Sequence, residues 1–181
     1  MKRSIFGAAA LALALSASTV QAQRPFSVGV ALGATVPVQE FGKFADLGYH
    51  GMVSLGFTPP ALPVGVRIDG AFNELKASND SLKYRVMSLT ANATIGVPMA
   101  MSPISPYVIG GLGIYNFDND APNTKSDSNL GFNIGIGTKF GLAGFGTFIE
   151  ARYHYVTGED DPTTGVSNSI SYIPISFGIT F

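Results

Sequence analysis

Cysteine is absent from the 181 residues. No disulfide framework can form, although an exported chain is free to build one. Nor is there a thiol to carry a lipid anchor behind a leader segment. Charge is scarce as well: 13% of the residues are Asp, Glu, Lys or Arg, against about 25% in an average soluble domain. The basic residues are scattered and the formal net charge is −1, so the positive footprint of a nucleic-acid binder is missing. Long apolar runs are lacking too. After residue 22 no stretch approaches the ~20 apolar residues of a membrane-spanning helix, yet 46% of the chain is hydrophobic. In lipid, backbone polar groups must be paired internally, which only helices and closed barrels achieve. Low charge without a spanning helix therefore points to a closed barrel.

The first residues have the pattern of an export signal. Lys2 and Arg3 form a short basic start, residues 5–15 an apolar stretch, and Val20-Gln21-Ala22 a small-residue cleavage site. The expected organisation is a signal peptide over 1–22 and one barrel domain over 23–181. Lys2 and Arg3 leave with the signal, so the mature chain has nine basic and twelve acidic residues and a net charge of −3.

The remainder resolves into segments of alternating polarity, each of about the 9–11 residues that a tilted strand needs to cross a bilayer. Phe26, Val28, Val30, Leu32, Ala34 and Val36 alternate with Ser27, Gly29, Ala31, Gly33 and Thr35. Seven further segments are predicted around residues 49–58, 64–73, 87–97, 106–117, 130–140, 149–155 and 172–181. The fourth has an irregular upper end near 84–86. The fifth is apolar or glycine on both faces, so its orientation stays open. Shorter connections at 59–63, 98–105 and 141–144 alternate with longer polar ones at 37–48, 74–82, 118–129 and 157–169, as periplasmic turns alternate with extracellular loops. The predicted fold is all-β: an eight-stranded antiparallel up-and-down transmembrane barrel. A soluble periplasmic ligand-binding barrel is the alternative, but it would place apolar residues inward and charge outward. Here the strand charges lie on the small, polar face.

The last strand resembles the terminal segment of bacterial outer-membrane proteins, with Phe181 final and Ile179, Phe177, Ile175 and Ile173 at alternate positions before it. Three stretches, PYVIGGLG (106–113), FIEARYHY (148–155) and YIPISFGITF (172–181), are similar to OmpX-like and OmpA-like members of the outer membrane protein beta-barrel domain families. The resemblance spans residues 24–181 and specifies architecture more than activity. It implies location in the bacterial outer membrane, lipid around the wall, and Phe177, Ile179 and Phe181 as the signal read by the barrel-assembly machinery. The chain stops at the barrel, so the soluble peptidoglycan-binding domain of full-length OmpA-type proteins is expected to be missing.

Inward charges form the one constellation to follow. Arg67 and Asp69 on the third strand and Glu150 and Arg152 on the seventh are expected at similar heights on opposite sides of a lumen that side chains fill. Isolated charges there would be costly, so pairing across the interior is predicted, with Lys139 and His154 at its margins. This is a structural plug rather than a catalytic site. Catalysis would need a nucleophile beside a base, and the two histidines, His50 and His154, lack the His-x-Ser arrangement that the lipid A deacylases carry. Asp118, Asp120 and Asp127, or Glu159, Asp160 and Asp161, lack the spacing of a calcium loop, and no phosphate-binding glycine loop is present. No metal, cofactor or enzymatic activity is predicted. The expected protein is a monomeric structural or surface-interaction barrel whose long loops meet an unidentified partner. A narrow pore is the alternative function.

Overall fold

The structure, a computed structural model, describes residues 25–60, 62–78, 82–97, 104–119, 127–142, 145–158 and 169–181. The predicted signal over 1–22 lies outside them, as do Asp120 and the acidic group at 159–161.

Eight strands close into one barrel: β1 (Phe26–Val38), β2 (Gly48–Phe57), β3 (Val64–Lys76), β4 (Lys83–Gly96), β5 (Ile104–Asn119), β6 (Asp127–Leu142), β7 (Phe145–Val156) and β8 (Ile170–Thr180). Each pairs antiparallel with its neighbour in sequence. β1 pairs with β8 from Gly29↔Thr180 to Val38↔Ser171, so the wall has no open edge. The strict alternation of β1 accounts for this register. Val30, Leu32 and their register partners Ile179 and Phe177 share the outer face, and a slip by one residue would turn every one of them inward.

The outer face is apolar over a defined height. Phe26 and Phe57 touch at its lower edge, with ring centroids 4.8 Å apart. Tyr153 and Tyr155 flank Phe132 higher up, at 6.5 and 5.4 Å. Aromatic girdles of this kind mark the two faces of a bilayer. From Phe57 to Tyr49 along β2 the span is about 27 Å at ~3.4 Å per residue. At a strand tilt of about 35–45° this rises about 20 Å, a little less than the ~25 Å apolar band of outer-membrane barrels.

Above the upper girdle the polarity of the wall inverts. Glu74, Lys76, Lys83 and Arg85 point outward, while Leu75, Tyr84 and Val86 point inward. This explains the irregular upper end of the fourth segment. The outer face there meets water and the inner face meets a packed core, the reverse of the arrangement below. The long connections are accordingly shorter than the sequence pattern suggests, because β3, β4, β5 and β6 extend past the bilayer into what read as loop. The register also settles β5. Its register partners place Val108, Leu112 and Ile114 outward and Tyr107, Ile109 and Tyr115 inward.

The connection from β1 to β2 is anchored to the mouth by Phe41 and Ala45, while Glu40, Lys43, Phe44 and Leu47 stay exposed. Gln39 takes a positive φ of 57° and its amide reaches the Tyr153 hydroxyl at 3.1 Å, turning the chain back over the mouth. A single 3-10 turn, Phe41–Lys43, follows, and Ala45 forms an isolated bridge with Ala77. Phe41 and Ala45 then pack on Leu75, Val86, Tyr115, Val156 and Tyr172 inside the barrel. Phe41 meets Tyr84 and Phe117 edge-on at 5.7 and 6.3 Å.

Candidate functional site

The inward side chains form layers from the periplasmic mouth upward. Lys139 is solvent-exposed at the lower mouth, its ammonium 5.5 Å from the centre of the Tyr107 ring. Ala31, Met52 and Phe148 make a small apolar layer, and the Arg67 guanidinium lies 5.9 Å over the Phe148 ring.

At mid-height the four predicted charges meet. The Arg67 Nη2 lies 2.7 Å from the Glu150 Oε1 and its Nε 2.8 Å from the Asp69 Oδ1. The Arg152 Nη1 lies 2.9 Å from the Asp69 Oδ2 and its Nε 2.9 Å from the Glu150 Oε1. Two arginines and two carboxylates thus alternate in a closed ring of no net charge. Asp69 and Glu150 are each 1% exposed, so neither can be screened by water. Such charges are tolerable when their remaining hydrogen-bonding capacity is met, and neighbours the sequence did not flag meet much of it. The Tyr107 hydroxyl donates to the Glu150 Oε2 at 2.6 Å and the Asn92 amide to the Asp69 Oδ2 at 2.9 Å. Asn133 in turn donates to the Asn92 Oδ1 at 2.8 Å. The Asp69 Oδ1 and Arg152 Nε contacts are charge contacts only, since neither atom has an aligned hydrogen bond.

Glycine on β6 makes room for this ring. A Cβ at Gly135 would run first into the Ala151 carbonyl oxygen, and would stand 2.5 Å from the Arg152 Cγ and 2.8 Å from its Cα. Only a residue without a side chain lets the β7 backbone come this close, with Arg152 lying flat against the wall.

Both histidines face the lumen. His154 lies beside the ring rather than in it: its Nδ1 is 2.9 Å from the Tyr115 hydroxyl, and its ring stacks on Tyr172 at 5.0 Å. His50 lies 2.9 Å (Nε2) from the Ser176 hydroxyl and 3.4 Å (Nδ1) from the Thr35 hydroxyl. A serine beside a histidine carries the outline of a nucleophile and base. However, both residues are 3% exposed, and the adjoining cavity, bordered by Asp69, Arg152 and His154, has about 10 Å³. That is near the lower limit for one water and leaves no place for a substrate. Among the described residues no group of three or more His, Cys, Asp or Glu is arranged to hold a metal ion.

A closed eight-stranded barrel with an apolar waist, aromatic girdles and a packed polar lumen defines an architecture, and the sequence comparison agrees with it. Residues 7–177 match the family described as outer membrane protein beta-barrel domain. The chain belongs to that family. It is a bacterial outer-membrane protein, and the soluble periplasmic barrel is set aside. Among solved structures it is similar to Neisserial surface protein A, with a TM-score of 0.68 and 16% identity over 87% of this chain and 96% of that one. The N-terminal barrel domain of Pseudomonas aeruginosa OprF superposes with a TM-score of 0.51 and 16% identity, covering 86% and 97% of the two chains. The outer membrane enzyme PagL gives a TM-score of 0.50 and 16% identity over 86% and 98%. At these identities the likeness is one of fold. No curated protein sequence matches the chain.

Proposed function

We propose that this barrel, once residues 1–22 are removed, is a monomeric, non-conducting outer-membrane protein with a structural or surface-interaction role carried by its outward face and extracellular loops. The observation that carries this reading is the blocked lumen. The mid-height ion ring fills the bore, and the Phe41 cluster covers the upper mouth. Eight strands leave little free cross-section in any case, so a solute would have to displace both layers.

The fold alone does not exclude catalysis, since PagL is an enzyme on a barrel of this kind. A non-enzymatic role is argued instead from residues: the His50–Ser176 pair is sealed inside the wall, and His154 is engaged by two tyrosines. The decisive measurement is single-channel recording of the purified barrel in a planar bilayer. No steady conductance is expected, and a reproducible open state would bring the narrow pore to the front. Incubation with an acylated lipid should release no fatty acid, whereas release abolished by His50→Ala would establish an enzyme.

A further inference from the structure

Lys139 is the inward charge that the ion ring leaves over. Arg67 and Arg152 are matched by Asp69 and Glu150. The Lys139 ammonium has the Tyr107 ring beside it and, among the described residues, no carboxylate within ion-pair distance. Nor does any acidic side chain of the described residues face the bore below Asp69 and Glu150. Phe181 at the end of β8 is paired with Val28 at 2.9 and 3.2 Å, with β7 between it and the strand that carries Lys139.

The ammonium lines a concavity of about 370 Å³ in the lower mouth, together with the Thr58, Thr94 and Ser105 side chains. Among the described residues none of these three hydroxyls is held in a side-chain hydrogen bond. Register brings the four groups to one end of the bore, since Ser105 is the direct partner of Lys139 and Thr94 that of Gly65. Gly65 lets two hydroxyls converge: a Cβ there would stand 2.5 Å from the Thr58 Oγ1 and 3.0 Å from the Thr94 Oγ1. Tyr107 forms the ceiling, its hydroxyl already donating to Glu150. The ring leans over Gly137, where a Cβ would stand 2.5 Å from its Cζ. Over Gly96 the space is open, and a Cβ would meet nothing nearer than the Pro63 carbonyl oxygen at 3.5 Å. Leu62 and Val97, both exposed, make an apolar lip. The volume falls within the about 300–1,000 Å³ of small-molecule pockets, unlike the sealed cavity at mid-height.

We propose that the lower mouth is a binding site for a small, partly apolar carboxylate. Lys139 and the Ser105 hydroxyl hold the carboxyl group, and the Thr58 and Thr94 hydroxyls meet the ligand's other polar atoms. Its apolar part lies over Gly96 against Leu62 and Val97. One ammonium matches one negative charge. A phosphate dianion would want a second cation, and the Arg67 guanidinium above is already held by Asp69 and Glu150. The short turns mark this end as periplasmic, so the ligand is a periplasmic one, either the free C-terminus of a short peptide or a medium-chain organic acid. The site is independent of what the extracellular loops bind.

An NMR titration of the full barrel in non-ionic detergent, read at the Gly65, Gly96 and Ser105 amide signals, provides the test. The probes are N-acetyl-alanyl-alanine and hexanoate, each beside its uncharged amide, with inorganic phosphate as a further anion. The wild type is expected to bind a carboxylate about tenfold more tightly than the matching amide, the size of a charge-assisted hydrogen bond. Tighter binding of the dipeptide assigns the site to peptide C-termini, and tighter binding of hexanoate to free organic acids. Lys139→Gln should abolish the preference for acid over amide. Thr58→Val combined with Thr94→Val, which keeps the β-branched shape, should weaken the dipeptide by about fivefold. Equal binding of acid and amide by the wild type overturns the proposal. So does a preference that survives Lys139→Gln, or phosphate moving the same signals at the same concentration as the carboxylates. Folding of each variant is checked by the gel shift between unboiled and boiled samples. Should a variant fail to fold, the wild-type comparison of acid with amide decides alone.

Discussion

At the scale of single residues, the lumen ring ties together four charged side chains that depend on one another. Removing Glu150 leaves Arg67 and Arg152 sharing Asp69 alone, with one buried positive charge uncompensated, which costs about 3–5 kcal/mol where the rest of the structure holds. Glu150→Ala is therefore expected to lower the urea midpoint of the barrel in detergent markedly. Glu150→Gln keeps an acceptor for Tyr107 and should lose less. An unchanged midpoint for the alanine variant would count against the pairing. Gly135→Ala probes the same ring without touching a charge. Its methyl group meets the Ala151 carbonyl oxygen and the Arg152 Cα as well as the Arg152 side chain, so β7 must shift with the arginine, an overpacking that typically costs about 1–3 kcal/mol. A neutral Gly135→Ala would mean that β7 and Arg152 have room to move together. Legibility at this scale follows from parity. Arg67, Asp69, Glu150 and Arg152 could be named because a charge on the inner face of a narrow barrel has nowhere to go except to an opposite charge. Tyr107, Asn92 and Asn133 escaped notice for different reasons. The two asparagines read as ordinary small polar lumen residues, and Tyr107 sits on a strand whose faces the sequence does not distinguish.

At the scale of elements, the strands most legible in sequence are those bathed in lipid along their whole length, such as β1 and β8. There one face must be oily and the other must fit a packed interior. Legibility fails where the environment changes along a strand. On β4 and β3 the surroundings invert above the bilayer, so Arg85 and Val86 exchange the roles that Met87 and Ser88 play below. The loop closing the upper mouth left a different trace: Phe41, Phe44 and Leu47 in an otherwise polar connection. Phe41 is packed, whereas Phe44 and Leu47 stay exposed, so the apolar residues of the connection do not by themselves mark which one closes the mouth. Phe41→Ala should release this segment. In intact cells or vesicles, trypsin is expected to cut after Lys43 faster in the variant than in the wild type, read from the mass of the fragments; equal rates at this bond would show that the segment is not held. The C-terminal strand makes a separate prediction. If Phe177, Ile179 and Phe181 are read during insertion, Phe181→Ala should slow appearance of the heat-shifted folded form in cells. Refolding into detergent should be unaffected, because the side chain lies at the barrel's end rather than in its packed lumen.

At the scale of the whole molecule, the barrel is a bilayer-spanning cylinder continued upward by a stretch with the polarity of a soluble protein. The lower part is held by lipid and an internal ion ring, the upper part by an apolar core of its own. Thermal unfolding followed on an unboiled gel should respond to lumen substitutions in the ring and in the Phe41 cluster alike, since one continuous wall carries both. A Phe41→Ala barrel that kept the wild-type transition temperature would show the cap to be energetically separate.

The double closure of the bore bears on how much of this protein a cell can tolerate. Every open channel added to the outer membrane raises its leak to bile acids, dyes and small antibiotics in proportion to its abundance. On the proposed non-conducting reading, a wall stopped at mid-height and again at the mouth adds surface without adding leak. Such a protein can be made in large numbers, and the upper limit on its abundance is the lipid area it displaces rather than the permeability it introduces.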